Sequence, residues 1–389
     1  MTDPGLRPAP SSPPSSQPAS AGPPGEGTTH PERFADQVLL LRLIWGYMSS
    51  DLVDLATRLR VPELIGEDGA GAEEIARQVG GRERGETGGA DGVEDGAHPL
   101  SVLRFLRALA SLGLLTEDGP GHFRLTGAGA RLRPDAPDSL YAFARQGTGV
   151  FRQAWSRLDH SVRTGAPAFD EVFGTGFFPY LRERPGLSAA FAASMREATR
   201  TLSTALAREY AFPQAGTVVD VGGADGTLLA AVLGARPGAD RLTGVVFDSA
   251  EGAEDAPATL RAAGLAGRAR VETGDFFTAV PEGGDLYVLK SVLHDWDDDK
   301  CAAILRGCRA AVPARGRLLV VEVLLPGRVT PGTDPLAYLS DLYMLVNMGG
   351  RERTEEDFRA LLAATGFRTL GVTSPPALAP FSLIEAEPV

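Results

Sequence analysis

The sequence predicts an α/β chain: a doubly wound, mainly parallel sheet with helices on both faces, preceded by an all-helical, winged-helix-like domain. Three observations carry the prediction. From Thr217 onward, short apolar runs alternate with helical stretches, the pattern of a parallel sheet whose crossovers are helices. Ahead of that region, two helical stretches lead into a short hairpin. The first strand of the alternating region then runs directly into a glycine turn and a helix, where sheets of this kind open their ligand crevice.

Composition bounds what such a chain can do. At 389 residues it has room for two ordinary domains. Its apolar share of 43% is close to the roughly 45–50% of globular chains, enough for a substantial core. A formal charge of -12 and a pI near 5.0 argue against a nucleic-acid surface, which needs clustered Lys and Arg. Cys301 and Cys308 are the only cysteines, which excludes a disulfide framework and a cysteine-based zinc site. They read as two reduced, partly buried thiols on one helix. No run approaches the roughly 18 continuous apolar residues of a membrane span, and the N-terminus lacks the basic start and apolar middle of a secretory signal. The expectation is a soluble, cytoplasmic protein without membrane or nucleic-acid partners.

The elements follow in order. Residues 1–32 are Pro, Ser and Gly with almost nothing apolar and are expected to be a disordered tail, because they bury too little to offset ordering entropy. Residues 33–137 form the N-terminal domain. Helical faces are marked by Val38, Leu41, Ile44 and Tyr47, then by Leu52, Leu55 and Leu59. Near Leu39 to Trp45 the stretch is apolar nearly all round, which suits a helix buried against a partner subunit or in a core. Ala72 to Val79 and Pro99 to Leu112 are the next helices, the second with Leu103, Leu106, Leu109 and Leu112 on one side. Leu114–Thr116 and His122–Leu125 make the hairpin around Asp118-Gly119-Pro120-Gly121. Between the two helices, residues 80–97 are rich in Gly and acidic residues and read as a flexible insertion. Residues 138–389 hold a helical segment dense in aromatics, among them Phe151, Phe169, Phe177 and Phe178, followed by the sheet. Its strands are expected at Thr217–Val221, Leu242–Phe247, Ala269–Glu272, Leu286–Leu289, Leu318–Val323 and Ser382–Glu385.

Chemistry concentrates at the ends of these strands. Asp220-Val-Gly222-Gly223-Ala224-Asp225-Gly226 lets a ligand approach the backbone and offers helix N-terminal amides to an anionic group. Its spacing is not the Gly-x-Gly-x-x-Gly of dinucleotide folds. Asp248 closes the second strand about twenty residues on, where an acid can bind ribose hydroxyls. A tight turn with a solvated Asp would look the same. Gly274-Asp275-Phe276-Phe277 follows the third strand, with Asp275 able to accept from an amine while Phe276 packs on a ring. Lys290 and His294 flank the end of the fourth strand in Lys290-Ser-Val-Leu-His294-Asp295-Trp296. A lone His there is more often structural, but two distant carboxylates change the balance. Glu322 sits among apolar neighbours at the end of the fifth strand, where burial without a partner is costly. Glu352 follows a turn in Gly349-Gly350-Arg351-Glu352-Arg353-Thr354. Adjacent strand ends converge on one crevice, so His294 and Glu322 can meet. Asp297 to Asp299 fit the positive end of the next helix better than a metal site, and no ligand cluster for a metal is expected.

Together these motifs resemble the plant-type small-molecule O-methyltransferase family, including its actinobacterial antibiotic-pathway branch, from about Phe34 to the C-terminus without residues 80–97. The resemblance implies a Rossmann-like methyltransferase sheet and the cofactor S-adenosyl-L-methionine, contacted by Gly222, Asp248, Asp275, Phe276 and Lys290. It implies that His294 is a general base bracketed by Glu322 and Glu352, with no metal. It also implies a homodimer whose N-terminal domains intertwine and bind no DNA. Two positions depart from the pattern: Ala224 stands where a third glycine is usual, and Asn347-Met348 replaces Asn-Pro. The expected reaction is methylation of a hydroxyl on a small aromatic, phenolic or polyketide-like secondary metabolite. A phenol with a pKa near 10 is little ionised at neutral pH and gains from a positioned base. Two alternatives remain open from sequence. One is a same-fold enzyme acting on nitrogen, carbon or a carboxylate. The other is a non-catalytic winged-helix binding module, which would leave His294, Glu322 and Glu352 unexplained.

Overall fold

The computed structural model describes residues 30–87, 97–147, 149–235 and 241–389, in two compact units divided between Tyr47 and Met48. The expected tail, 1–32, lies outside the described residues except for its last three, which open helix α1 (His30–Ile44). Pro31 in the first turn suits a helix start, since its missing N–H would find no helical partner there. Phe34, Leu39, Leu40, Leu41, Leu43 and Ile44 of α1 are all exposed, as is Trp45.

The second unit begins within α2 (Gly46–Arg58) and continues through α3 (Val61–Ile65), β1 (Ala70–Gly71), α4 (Ala72–Thr87), α5 (Pro99–Ser111), β2 (Leu115–Gly119) and β3 (His122–Leu125). The three strands form a small antiparallel sheet in the order β1-β3-β2. Val102, Leu106 and Leu109 of α5 pack with Ile75, Ala76 and Val79 of α4 and with Phe123. Of the expected leucine face, Leu106 and Leu109 are buried and Leu103 packs against the core, joined by Val102, while Leu112 ends exposed. Part of the expected flexible insertion is helical: α4 runs to Thr87, carried past Gly80-Gly81 by the helix-forming Arg82-Glu83-Arg84. Residues 88–96 lie outside the described residues.

Short helices α6 (Gly127–Ala130), α7 (Tyr141–Ala144), α8 (Val150–Trp155), α9 (Leu158–Thr164), α10 (Ala168–Phe173) and α11 (Phe177–Arg182) lead to the long α12 (Pro185–Glu209). The sheet domain follows as β4 (Gly216–Val221), α13 (Thr227–Gly234), β5 (Leu242–Asp248), α14 (Ala256–Ala262), β6 (Ala269–Thr273), β7 (Leu286–Lys290), α15 (Asp298–Ala311) and β8 (Arg317–Leu325). It ends with α16 (Leu336–Asn347), β9 (Arg353–Thr354), α17 (Glu355–Ala364), β10 (Phe367–Thr373) and β11 (Phe381–Pro388).

The sheet order is β6-β5-β4-β7-β8-β11-β10, with β9 paired to the end of β8. Strands β4 to β8 are parallel, whereas β11 runs antiparallel between β8 and β10. Strand alternation feeds two cores. Val218, Val246, Val288 and Val321 pack with α12, α13 and α14 on one face. Val219, Val245, Leu289 and Val320 pack with α15 and α17 on the other. Burial on both faces explains the continuous apolar runs seen in sequence. Sequence order reverses between β4 and β7, which places the ligand crevice at their carboxyl ends. Among the described residues, no helix is long and apolar enough to cross a membrane.

Candidate active site

The crevice opens where β4 gives way to the glycine turn. Gly222 has φ +73°, and a Cβ there would stand 2.7 Å from Cγ2 of Val292, so the turn needs glycine for both its backbone angle and its packing. The amides of Gly222 and Gly223 donate to the carbonyl of Phe247 at 2.8 and 3.2 Å. Ala224 also takes a left-handed φ, +46°, which for a residue with a Cβ costs roughly 1–2 kcal/mol. Its amide donates to Oδ2 of Asp248 at 2.9 Å. Gly274 N donates to the carbonyl of Asp248 at 2.9 Å, which brings the Asp275-Phe276 loop alongside. Asp275 itself is exposed, while Phe276 packs against the core on the α15 and α17 face, its ring centroid 4.8 Å from that of Phe277.

Beneath the turn, Asp220 is buried and its Oδ2 has no hydrogen-bond partner. Burial pushes its carboxyl up to about 7, Lys290 pulls it down, and Asp248 and Asp225 add to the rise. Lys290, the last residue of β7, gives its ammonium to Oγ1 of Thr199 on α12 at 2.7 Å. Burial lowers the pKa of this lysine against the pull of Asp220 and Glu322. An unpartnered buried carboxylate oxygen, a bare glycine backbone and Asp248 at a strand end fit a ligand that carries an amine and hydroxyl groups.

The second centre lies at the ends of β7 and β8. Ser291 takes φ +53°, turning the chain so that the successive amides of Val292 and Leu293 point one way. Both donate to Oε1 of Glu322, at 3.0 and 2.9 Å, a backbone nest around a carboxylate. Glu322 is wholly buried and stands within β8 rather than at its end, which corrects the sequence expectation. The strand runs two residues further because β9 pairs with Leu324 and Leu325. His294 then places Nδ1 3.2 Å from Oε1 of Glu352 and 3.8 Å from Oε2 of Glu322. Its Nε2 lies 3.6 Å from Oδ1 of Asp295. Burial alone depresses the imidazole, but Glu322, Asp295 and Glu352 outweigh it and hold its pKa at about 10. Burial also raises Glu322, and raises Asp295 to about 6 despite the attraction of His294.

The absence of a metal-ligand cluster, expected from sequence, is corrected as well. Ligand-capable atoms of His294, Glu322 and Glu352 come within 4.8 Å of one another, because strand ends and a distant loop converge. The contacts within the set are one hydrogen bond, to Glu352, and one longer ion pair, to Glu322, so it reads chemically as an imidazole held by two carboxylates.

Several residues that sequence reasoning did not single out hold this centre together. Arg353 is almost wholly buried. Its guanidinium donates to the carbonyls of Leu293 and Trp296, each at 2.8 Å, and to Oδ1 of Asp298 at 2.7 and 3.0 Å. Asp297 caps α15 by accepting from Lys300 N, as the acidic run predicted, whereas Asp298 additionally anchors Arg351 and Arg353. Gly350 leaves no room for a side chain, because a Cβ there would collide with the carbonyl of His294. From α16, Ser340 Oγ donates to Oε1 of Glu352 at 2.7 Å, and Asp341 Oδ1 accepts from Glu352 N at 2.9 Å. Arg353 and Gly350 lay within a motif already in view. Ser340 and Asp341 carried no signal of their own, since a Ser-Asp pair on a helix is ordinary surface chemistry.

Aromatic walls surround the centre. Phe151, Phe169 and Phe177 are buried together with Val346 of α16, and Phe191 and Tyr343 pack against them. Phe178 stacks on Trp296 with ring centroids 5.4 Å apart. The structure thus joins His294, Glu322 and Glu352 in one cluster and sets Gly222, Asp248 and the Asp275-Phe276 loop around the other. Lys290 stands between them, facing Asp220 and Glu322.

Comparison with known proteins gives two family matches: residues 155–368 match the O-methyltransferase domain, and residues 41–134 the O-methyltransferase dimerisation domain. O-demethylpuromycin-O-methyltransferase of Streptomyces alboniger is 62% identical over 362 residues, 92% of this chain and 91% of that one. The phenazine O-methyltransferase PhzM of Lysobacter antibioticus is 36% identical, over 90% of this chain and 96% of its own. Among solved structures, NcsB1 from neocarzinostatin biosynthesis, in complex with S-adenosylmethionine and 2-hydroxy-5-methyl naphthoic acid, superposes with a TM-score of 0.68. It is 34% identical, covering 88% of this chain and 96% of that one.

Proposed function

The chain belongs to the S-adenosylmethionine-dependent O-methyltransferase family, and on that premise we propose that it methylates a phenolic hydroxyl of a small aromatic secondary metabolite, with His294 as general base. The family uses S-adenosylmethionine without a metal. One observation supports the base assignment above the others: Nδ1 of His294 is committed to Glu352 at 3.2 Å. With the Nδ1 proton donated to that carboxylate, Nε2 is the nitrogen left to accept a proton. Glu322 and Glu352 fix the ring and stabilise the imidazolium that forms. The aromatic walls hold a flat acceptor and exclude water, which supplies proximity and orientation.

Gly222, Asp248, Asp275, Phe276 and Lys290 are the residues we assign to the cofactor, with Asp220 added by its unpartnered oxygen. When bound, S-adenosylmethionine supplies an activated methyl group. The protein's own part is to seat the acceptor oxygen, take its proton on His294 and keep that proton beside Glu352 and Glu322. A relative 62% identical acts on O-demethylpuromycin, so that compound is the acceptor to test first. We also assign a homodimer, supported by the dimerisation-domain match and by the exposed apolar residues of α1.

The test is an assay with methyl-labelled S-adenosylmethionine and a panel of phenols including O-demethylpuromycin, followed by locating the methyl in the product. Label on the phenolic oxygen is expected. His294→Ala should lower turnover roughly 10²–10⁴-fold, the usual range for a lost general base, with cofactor affinity by calorimetry nearly intact. Label on nitrogen or carbon, or near-normal turnover in His294→Ala, overturns the reading.

A further inference from the structure

We propose that Ser340 is a positioning residue for the base: its hydroxyl occupies the Glu352 oxygen that faces His294, loosening the grip of Glu352 on the imidazole and keeping that ring available to take a proton. The proposal rests on the reading of His294 as the base.

The argument is one of shared acceptors. Oε1 of Glu352 receives two donors, Ser340 Oγ at 2.7 Å and His294 Nδ1 at 3.2 Å. Its other oxygen, Oε2, is buried with no partner. All the side-chain hydrogen bonding that Glu352 accepts therefore falls on one atom, and the hydroxyl holds the shorter bond. Hydrogen bonds to a carboxylate draw off charge and weaken it as an acceptor for anything else. Without the hydroxyl, His294 would be the only donor on that oxygen, and the ion pair would tighten. The adjacent residue, Asp341, holds the Glu352 amide, so α16 fixes the main chain of this glutamate through one residue and its charge through the next. Removing Ser340 alone leaves the main-chain anchor in place.

The other charged groups around the ring do not depend on this hydroxyl. Glu322 faces His294 from β8 and is fixed by the Val292 and Leu293 amides. Asp295 faces it from the same turn, and Lys290 lies at the end of β7. Behind Glu352 stand Asp341 and Arg353, the latter committed to Asp298 and two carbonyls. Ser340 is thus the neutral group whose removal changes a single contact of the pair.

The experiment compares wild type with Ser340→Ala and Ser340→Thr as full-length protein, by kcat/KM against pH and by NMR titration of the His294 ring without acceptor. In Ser340→Ala the acid limb and the ring titration should both move to higher pH by about half a unit to one unit, a fraction of a hydrogen bond to a charged group. The rate at pH 7 should then fall about 3–10-fold and recover towards wild type at alkaline pH, with KM for S-adenosylmethionine unchanged. Ser340→Thr, which keeps the hydroxyl, should restore both curves. A ring titration unmoved in Ser340→Ala, or moved to lower pH, overturns the proposal, as does a rate loss equal at every pH. A titration that moves while the rate limb stays put would instead unseat His294 as the base.

Discussion

If His294 is the base, as proposed, it sets opposite pH demands on activity and on stability. An imidazole titrates near 6.5 when unfolded and at about 10 in the folded protein. The folded state therefore binds the proton more tightly. The stability this contributes is fully present below about pH 6.5 and is lost as pH rises through the folded value. Asp295 and Asp220, raised by burial to about 6 and about 7, add to the decline at lower pH, since the folded state also holds their protons longer. Under the proposed mechanism His294 acts only when neutral, so kcat/KM should rise about tenfold per pH unit below the His294 value. Thermal midpoints should fall over the range from pH 7 to 10 in which the rate climbs. In His294→Ala the midpoint should fall less over that range. Wild-type and variant midpoints that decline in parallel would show that His294 does not carry the coupling.

At the level of elements, the centre is a turn after β7 tied to a loop before β9, and Arg353 makes the tie. Arg353→Ala takes the shortest donor from two carbonyls, leaving Leu293 with Trp296 N at 3.3 Å and Cys301 Sγ at 3.1 Å and Trp296 with Cys301 Sγ at 3.5 Å. Each buried group left poorly met costs about 1–3 kcal/mol. A loss of roughly 2–4 kcal/mol in denaturant unfolding is expected, with turnover down at least tenfold and cofactor affinity little changed. Arg353→Lys should fall between, because an ammonium cannot span both carbonyls and Asp298 at once. A folded Arg353→Ala with wild-type turnover would mean that the turn holds His294 unaided. This tie also shows where sequence reading succeeds and where it stops. Strands β4, β5, β7 and β8 were legible because burial on both faces writes continuous apolar runs, β6 at the sheet edge was placed by the alternation of strand and helix, and His294, Glu322 and Glu352 stood out as costly or reactive residues near strand ends. Strand β10 was missed, because Phe367-Arg-Thr-Leu-Gly-Val-Thr is half exposed, bulged between Thr369 and Gly371, and at the edge of the sheet. Arg353 owes its role to partners 55 and 60 residues away, and Ser340 to Glu352, 12 residues on across a loop; no local pattern records those contacts.

For the whole molecule, the exposed apolar residues of α1 predict an assembly. Light scattering at micromolar concentration should report twice the 40.9 kDa chain mass, and a clean monomer would sink the homodimer. A different consequence follows from Glu322 lying inside β8, flanked by β7 and β11. Central strands open only when a domain unfolds, whereas lightly anchored pieces open by themselves, far more often. Much of the aromatic wall comes from α8 to α11, helices of six or seven residues, too short to persist without their packing. Amide hydrogen exchange should therefore be slowest in β7 and β8 and orders of magnitude faster across residues 150–182; equal rates would refute this. The floor and the wall of one site thus keep different clocks. On the proposed function, acceptor and product would come and go on the faster one, while His294 stays fixed on the slower.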